Sequence, residues 1–318
     1  MKSPKVSVVI AAFNRAGTLS RSLKSVLDQT EADFEIIVVD DGSTDNTLAL
    51  IPKLKDSRIR WETHGFNRGA AAARNTGVRA AKGKWIAFLD SDDEWLPGKL
   101  EAQLRLLSEQ DHKIGVCTGY YLKEEGQPTC KRLTPPRPFS WHKHLLLGCD
   151  LGPGTTLMVA REAFEQVGFL DEGFRRLEDW EWLLRFVKRF RLETVPEPLA
   201  IVHRQRHARA QVVEEATWKL VSLYENEARR YGLVFERRFR ARRWLHLAWL
   251  YSLEGNIPKG SKYFIKAILD DPAPPPGMIL LVLDAFLGTK MAPKASLWRS
   301  KMKSGLCKSR VTGQTRGR

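Results

Sequence analysis

Two acidic clusters in the sequence have the residue types that bind a metal ion and a nucleotide. Asp90-Ser91-Asp92-Asp93 places three carboxylates within four residues, and these repel one another unless a positive charge lies among them. Mg²⁺ and Mn²⁺ prefer oxygen ligands and often combine a few carboxylates with substrate phosphates. The pattern predicts a site where a metal ion and a diphosphate meet. The alternative is an acidic turn in which Asp93 caps a helix over residues 95–107.

The other cluster is Asp40-Asp41-Gly42-Ser43, in which one carboxylate can accept a hydrogen bond from a base N–H or a ribose hydroxyl. Turn and helix-capping chemistry would also explain these residue types. A later pair, Glu178-Asp179, stands at the predicted start of a helix, where carboxylates suit the helix dipole.

The elements before these clusters predict how they are brought together. Continuous apolar runs predict buried strands, which alternate with helical patterns; the strands are at residues 6–12, 34–39, 58–62 and 85–89, and the helices at 18–29, 43–55 and 67–81. This alternation predicts an α/β fold with a mostly parallel sheet flanked by helices. Ligands bind outside the carboxyl ends of such strands, so residues 11–14, 40–43 and 90–93 should line one crevice.

The rest of the chain divides into a continuation of this domain and a helical region. Further strands are predicted at 113–120 and 155–160, a helix at 177–189, and an edge strand interrupted by two prolines at 192–202. Helical patterns follow at 212–231, 237–253 and 259–269. We therefore predict a catalytic domain over 1–210, a helical C-terminal region over 211–289 and a basic, disordered tail over 290–318.

Charge is distributed unevenly along the chain. Residues 1–199 carry 29 Lys/Arg and 28 Asp/Glu, whereas residues 200–318 carry 23 and 9, a net charge of +14. We expect this basic third to contact an anionic membrane surface, helped by the apolar stretch 278–287; a solvated basic face with a disordered tail is the alternative. No nucleic acid is expected as a partner, because no recognition module accompanies the charge.

The same features indicate a compartment. The four cysteines are scattered, which fits a reducing environment, and the first residues do not have the pattern of a signal peptide. The apolar stretch 278–287 is shorter than the roughly 20 residues of a spanning helix. We expect a cytoplasmic protein, peripheral on the inner membrane face.

Four motifs occur in a fixed order: VSVVIAAFNRAGTLSRSLKSVLDQT, FEIIVVDDGSTDNT, NRGAAAARNTGVRAAKGKWIAFLDSDDEW and LEDWEWLLR. Together they resemble the GT-A-fold family 2 glycosyltransferases over about residues 5–205. The resemblance implies a GT-A (Rossmann-like) fold with a C-terminal helical appendage, a nucleotide-diphospho-sugar donor (UDP- or dTDP-sugar), a divalent metal (Mn²⁺ or Mg²⁺) and inversion at the anomeric carbon. It also implies a glycan or lipid-linked acceptor and a role in cell-surface glycan assembly.

The resemblance also assigns roles to individual positions. The donor-binding set is Ala11, Phe13 and Asn14 around the base, Asp41 as its hydrogen-bond acceptor, Arg74 in the A-R-N segment, and Asp90 facing the ribose or metal. Asp92 is the metal ligand, with Asp93 in support. Asp179 falls on the general-base position, where a carboxylate takes the proton of an acceptor hydroxyl.

The sequence departs from the family pattern in two places. The first strand ends in Ala-Ala-Phe-Asn where many relatives carry Pro and Tyr, so Phe13 can stack on a base but has no hydroxyl. The Q-R-x-x-W motif of processive synthases is not evident. His203 could reach the diphosphate from a flexible loop, and so could Arg206 and His207, for which surface charge is the favoured interpretation.

A catalytically decayed nucleotide-binding or scaffold protein of the same fold is the alternative, although Asp41, Asp90, Asp92 and Asp179 are all present. A dinucleotide dehydrogenase is excluded, because no G-x-G-x-x-G follows the first strand.

Overall fold

The computed structural model describes residues 3–108, 114–125, 129–204, 209–274 and 276–287. These form two compact units, Met1–Ala208 and Arg209–Arg318. The boundary between the units lies two residues before the predicted one. The predicted tail over 290–318 lies outside the described residues.

The first unit is built on one nine-stranded sheet. Its strands are β1 Val6–Ala12, β2 Phe34–Asp40, β3 Ile59–Thr63, β4 Trp85–Phe88, β5 Glu94–Trp95, β6 Ile114–Glu124, β7 Lys131–Leu133, β8 Met158–Ala160 and β9 Arg191–Arg204. Its helices are α1 Leu19–Leu27, α2 Thr47–Leu50, α3 Ala70–Ala80, α4 Lys99–Ser108, α5 Trp141–Leu147, α6 Pro153–Thr156, α7 Ala163–Val167 and α8 Glu178–Phe186, with a 3₁₀ turn at Ile51–Leu54.

The strands are ordered β3-β2-β1-β4-β8-β6-β9-β5, and β7 pairs with β6. The first four are mutually parallel, as their continuous apolar runs predicted, since parallel strands are covered on both faces. Ala12 pairs with Asp40 and Asp40 pairs with Thr63, so the carboxyl ends of β1, β2 and β3 lie side by side. Beyond β4 the sheet is mixed, because β8 runs antiparallel to both β4 and β6.

The prediction of an edge strand over 192–202 is confirmed for its proline-containing part and fails only at its end. β9 pairs with β6 on one side and, at Ala200 and Ile201, with the short β5 on the other. The prolines are accommodated because the ladder is irregular there, with register shifts on either side of Gly119. A Cβ at Gly119 would lie 2.8 Å from the Pro196 carbonyl oxygen, so the close approach of β9 needs glycine at that point.

Two other expectations need correction. The predicted strand over 155–160 begins only at Met158, because Pro153–Thr156 forms the single helical turn α6. Asp93 does not cap a helix over 95–107: β5 follows it directly, and α4 begins at Lys99. The sequence patterns also did not predict β5, β7, α5 or α7.

The second unit consists of α9 Ala210–Arg229, α10 Leu233–Leu253, α11 Ile257–Asp270 and α12 Pro276–Leu287. Trp244 is buried at its centre, and the Lys266 Nζ lies 4.0 Å from the Trp218 ring and 4.2 Å from the Trp244 ring. Glu214 accepts hydrogen bonds from the Tyr251 and Tyr263 hydroxyls. Within the described ranges, no helix has the length and apolar character needed to cross a membrane.

Candidate active site

A buried arginine joins two acidic motifs that lie far apart in the sequence. The Arg74 side chain extends from α3 and donates two hydrogen bonds. One, of 2.6 Å, goes to Asp90 Oδ1 after the end of β4, and the other, of 2.5 Å, goes to Glu178 Oε1 at the start of α8. Burial alone lowers the pKa of Arg74, but the charges of Asp90 and Glu178 outweigh it and raise the pKa. The acidic turn after β4 and the Glu178-Asp179 pair therefore belong to one site.

The short helix α6 lies between these motifs and was not predicted as part of the site. The Gly154 N–H donates 3.2 Å to Asp179 Oδ2, and a Cβ at Gly154 would lie 2.7 Å from Asp90 Oδ2. Thr155 donates its hydroxyl to the Asp93 carboxylate and accepts 3.3 Å from the Asp90 N–H. The Gly-Pro-Gly-Thr-Thr run at 152–156 was the available signal, since glycines mark close backbone approach.

Asp179 lies in the first turn of α8 and is partly buried. Burial, followed by the neighbouring charge of Glu178, raises the pKa of Asp179 to about 6. The carboxylate accepts hydrogen bonds from the backbone N–H groups of Gly154 and, at 2.7 Å, Trp180. Leu177 before it has φ +66°, a left-handed conformation that costs free energy for a side chain with a Cβ, so the start of α8 holds local strain.

The acidic turn after β4 concentrates negative charge that is only partly compensated. Burial, followed by the charge of Asp90, raises the pKa of Asp92. The guanidinium nitrogen Nη2 of Arg15 lies 3.5 Å from Asp92 Oδ2. Burial and Asp90 also raise the pKa of Asp93 well above its ordinary value. In the described part of the chain, no three His, Cys, Asp or Glu side chains form a metal-binding group. Asp90 and Asp92, whose negative charge Arg74 and Arg15 only partly balance, suit a hard divalent cation that takes its remaining ligands from phosphates or water.

Asp41 is 3% exposed, and its carboxylate holds the loop that follows β3. It accepts 2.7 Å from the Gly69 N–H and 3.0 Å from the Arg68 N–H, and His64 Nδ1 lies 2.7 Å from Oδ1. The structure thus places Asp41 at the predicted strand end but beneath the surface of the crevice. A contact between this carboxylate and a nucleobase stays a prediction.

The predicted base-binding residues lie at the end of β1. Ala11 is half-buried in the strand, and Phe13 is 38% exposed beyond it. Asn14 adopts a left-handed conformation with φ +53°. It connects the end of β1 to the turn after β2, because its backbone N–H donates to Ser43 Oγ and its side-chain oxygen accepts from the Thr44 N–H, both at 2.9 Å. Phe13 is therefore held in place and open to a stacking partner.

His203 does not project from a flexible loop, as was predicted. It lies in β9, where its N–H donates 2.8 Å to Asp93 Oδ1 and its Nε2 is 2.6 Å from Glu94 Oε1. Burial lowers the pKa of His203. Arg206 and His207 lie outside the described residues. Asn75 bonds to the backbone of Leu170 and so supports the wall of the site.

Comparison with known proteins agrees with this geometry. The model of the family described as glycosyl transferase family 2 matches residues 7–168, about half of the chain. The chain belongs to this family. A Rickettsia prowazekii protein named as an uncharacterised glycosyltransferase, RP339, is 30% identical over 222 residues, which are 67% of each chain.

Other relatives of the family match over a shorter length. The Escherichia coli UDP-Glc:α-D-GlcNAc-diphosphoundecaprenol β-1,3-glucosyltransferase WfgD is 37% identical over 153 residues, or 48% of this chain and 59% of WfgD. The Bacillus subtilis protein TuaG, named as a putative teichuronic acid biosynthesis glycosyltransferase, is 36% identical over 170 residues, 52% of this chain and 65% of TuaG. The chain thus spans less than two thirds of the length of these two relatives.

The fold of the family is also found among solved structures. The S. aureus TarS fragment 1–349 in complex with UDP-GlcNAc has a TM-score of 0.65 and covers 92% of both chains at 17% identity. The fragment solved without that ligand has a TM-score of 0.63 over the same share. These similarities show the fold, a GT-A-like sheet with C-terminal helices.

Proposed function

We propose that this chain is an inverting, metal-dependent glycosyltransferase that moves a sugar from a UDP- or dTDP-sugar to a hydroxyl of a glycan or lipid-linked glycan during cell-surface glycan assembly. The observation that carries the proposal is the Arg74 bridge, because it brings the acidic turn after β4 within one side chain of the Glu178-Asp179 pair. One group suits a diphosphate and its metal, and the other suits an acceptor hydroxyl. The names of relatives, with UDP-Glc as the donor for WfgD, support the choice of nucleotide sugar.

Asp179 is the general base of this proposal. Its carboxylate accepts the proton of the acceptor hydroxyl as the oxygen attacks the anomeric carbon. The bond from that carbon to the diphosphate oxygen breaks on the opposite face, so the configuration inverts and the nucleotide diphosphate leaves. The N–H groups of Gly154 and Trp180 orient the carboxylate towards this task.

Asp92 would hold the divalent cation, with Asp90 beside it. When bound there, Mn²⁺ or Mg²⁺ stabilises the negative charge that develops on the departing diphosphate. Arg74 holds Asp90 in place through a charge-assisted hydrogen bond. Phe13 supplies a flat apolar surface for the base at the end of β1.

A thermal-shift screen tests the donor site. UDP, dTDP and their glucose and N-acetylglucosamine derivatives would be added to the wild type, to Asp92→Ala and to the control Asp28→Ala, each with and without Mn²⁺. Asp28 is an exposed residue at the end of α1 that pairs with Lys24 at 3.0 Å, so its replacement matches the charge change. We expect one nucleotide to raise the Tm of the wild type and the control only with metal, because a ligand that binds the folded state stabilises it.

The results of this screen, together with a transfer assay, distinguish a transferase from a decayed nucleotide-binding or scaffold protein. Stabilisation of Asp92→Ala equal to that of the wild type would remove Asp92 as the metal ligand. Metal-dependent binding without transfer to any acceptor would favour the decayed nucleotide-binding or scaffold protein. Stabilisation by no nucleotide would contradict both.

We further propose that the second unit contacts the inner face of a membrane. Leu280 and Leu283 on α12 are 43% and 40% exposed, and the sequence after α12 carries nine Lys/Arg and no Asp/Glu over residues 288–318. Apolar side chains beside a basic segment suit an anionic lipid surface. We expect binding to vesicles with phosphatidylglycerol but not to pure phosphatidylcholine, weakened by salt and by Leu280→Ser/Leu283→Ser. Equal binding to both vesicle types would contradict this.

A further inference from the structure

One lysine side chain of the first unit is completely buried and has no role in the proposed mechanism. Lys99, the first residue of α4, and Gln103, one turn later, are both 0% exposed. Burial lowers the pKa of Lys99 to about 7. Among the described residues, no carboxylate forms an ion pair with this amine, although a lysine is rarely buried without one. Its position therefore has to be explained by its other contacts.

Lys99 determines which way the side-chain amide of Gln103 points. Lys99 Nζ donates 2.7 Å to Gln103 Oε1. With its oxygen held in this way, the amide directs Nε2 at two backbone carbonyl oxygens, which can only accept hydrogen bonds. Nε2 donates 2.7 Å to the carbonyl of Val116 in β6 and 2.9 Å to that of Thr156 in α6. The lysine thus keeps the donor end of the amide on α6.

The second contact of Lys99 is with Trp95 in β5. Lys99 Nζ lies 4.0 Å from the centroid of the Trp95 ring, whose face attracts a cation. The indole N–H of Trp95 donates 2.8 Å to the carbonyl oxygen of Thr155 in α6. The last carbonyl groups of a helix have no partners within it, and α6 is a single turn. Trp95 and Gln103 supply the missing donors, and Lys99 contacts both.

Other polar groups of the same turn contact the carboxylates of the candidate active site. The Gly154 N–H donates 3.2 Å to Asp179 Oδ2, and the Thr155 hydroxyl donates to the Asp93 carboxylate. A Cβ at Gly154 would lie 2.7 Å from Asp90 Oδ2, so α6 and the acidic turn are closely packed. A small displacement of α6 would therefore change its contacts with both acidic motifs.

We propose that Lys99 is a positioning residue for the transfer reaction, which holds α6, through Gln103 and Trp95, where the Gly154 N–H stabilises the charged form of the Asp179 carboxylate. This inference rests on the proposed transferase function and adds the buried network that sets its rate. A hydrogen bond donated to a carboxylate favours its charged form. Loss of the Lys99 amine should therefore leave Asp179 harder to deprotonate and less well oriented.

The test is a double-mutant cycle in the full-length protein. Lys99→Met removes the amine and Gln103→Met removes the amide, each with a side chain of similar length, and the double variant completes the cycle. The control is Leu107→Ala, which shortens a side chain of the same helix that is 2% exposed, and so lowers stability without removing a polar contact. Trp95→Phe keeps a ring beside Lys99 and removes only the indole N–H, so it is the milder variant if the others do not fold.

Two quantities are measured for each variant. One is kcat for transfer, and the other is the pKa of Asp179, from an NMR titration of isotope-labelled aspartate carboxyl groups in which Asp179→Asn identifies the signal. Lys99→Met also removes a positive charge, whereas Gln103→Met keeps the amine, so a rise in both variants reports the contact with α6. The other titratable groups that act on Asp179 are the same in every variant: Glu178, Arg74, Asp90 and the thiols of Cys117 and Cys149, whose pKa values burial raises.

We expect Lys99→Met and Gln103→Met each to lower kcat by about 10- to 100-fold, as for a misplaced catalytic group. The pKa of Asp179 should rise in both from about 6 to about 6.5–7. Because Lys99 acts through Gln103, the double variant should be no worse than the more affected single variant. Trp95→Phe should change both quantities less, in the same direction. Leu107→Ala should lower the Tm but keep the kcat and the Asp179 pKa of the wild type.

Three results would overturn the proposal. The first is a wild-type kcat and Asp179 pKa in Lys99→Met. The second is a loss of kcat in the double variant equal to the product of the two single losses, because the two side chains would then act independently. The third is a loss in Leu107→Ala as large as that in Lys99→Met. Failure of the transferase function is recognised separately, because the wild type then transfers no sugar while the NMR titration still tests the contact between α6 and Asp179.

Discussion

At the residue scale, the environment of Asp179 sets the pH at which the proposed reaction begins. An ordinary aspartate has a pKa of about 3.9, whereas burial and the charge of Glu178 raise the pKa of Asp179 to about 6. A general base works only when it is deprotonated. We therefore expect kcat/KM to fall as the pH drops through about 6 and to be constant above about pH 7. A profile that stays flat down to pH 4.5 would show that Asp179 does not act as the base.

Replacement of the same side chain separates catalysis from binding. Asp179→Asn keeps the size of the side chain but removes its ability to accept a proton, so kcat should fall by about 10²–10⁴. The donor Kd should stay within about twofold of the wild type, because the predicted donor-binding residues are unchanged. Wild-type turnover in Asp179→Asn would remove this carboxylate from the mechanism.

Gly154 is required for steric reasons. A Cβ at this position would lie 2.7 Å from Asp90 Oδ2 and 3.0 Å from Arg74 Nη2, closer than real Cβ atoms tolerate without a shift. We expect Gly154→Ala to reduce both metal-dependent donor binding and turnover by at least about tenfold, which corresponds to about 1.4 kcal/mol. Gly17→Ala is the control, because a Cβ there meets nothing within 4 Å. Equal activity of the two variants would contradict the geometry.

At the scale of elements, Arg74 connects α3, the end of β4 and the start of α8. Its side chain is 7% exposed and that of Glu178 is 8% exposed, so neither charge is solvated if the other is removed. Arg74→Met should lower the free energy of unfolding by about 3 kcal/mol, the cost of leaving a buried charge unpaired. Denaturant unfolding followed by fluorescence measures this change.

A second variant separates the unpaired charge from the loss of the connection. Arg74→Met/Glu178→Gln removes the buried Glu178 charge that Arg74→Met leaves unpaired, so we expect it to recover a substantial part of the lost stability. Activity should stay low, because Asp90 is no longer held. If the double variant is as unstable as Arg74→Met, the destabilisation has a cause other than the unpaired Glu178.

At the scale of the whole molecule, the two units have separate cores. In the second unit, Trp244 is 1% exposed, packs 4.6 Å from Trp218 and donates 2.9 Å to Asp270 Oδ2. Trp244→Ala should destabilise this unit by about 3–5 kcal/mol, as for loss of a large buried aromatic. Calorimetry should show an earlier transition for the helical unit, with the nucleotide-dependent transition unchanged. A parallel loss of nucleotide binding would show that the first unit depends on the second.

The sequence alone determined the parallel half of the sheet and the residues at its strand ends. β-branched runs form strands covered on both faces, and the carboxyl ends of parallel strands lie at one edge whatever the remaining packing. For this reason residues 11–14, 40–43 and 90–93 could be assigned to one crevice, and the start of α8 at Glu178 could be predicted from its helical pattern.

Only the tertiary structure decided which side chains meet. The hydrogen bond of Arg74 to Glu178 spans 104 positions, and local periodicity contains no information about a contact of that separation. The irregular ladder beside Gly119 allowed a proline-containing segment to pair with β6 as part of β9. Asp41 was assigned to the right strand end, but its burial follows from the N–H groups of a loop 27 to 28 residues away. Strand order and loop closure depend on contacts between residues far apart in the sequence. The sequence therefore identified the carboxyl ends of the strands as the place of the site, and the tertiary packing determined which side chains meet there.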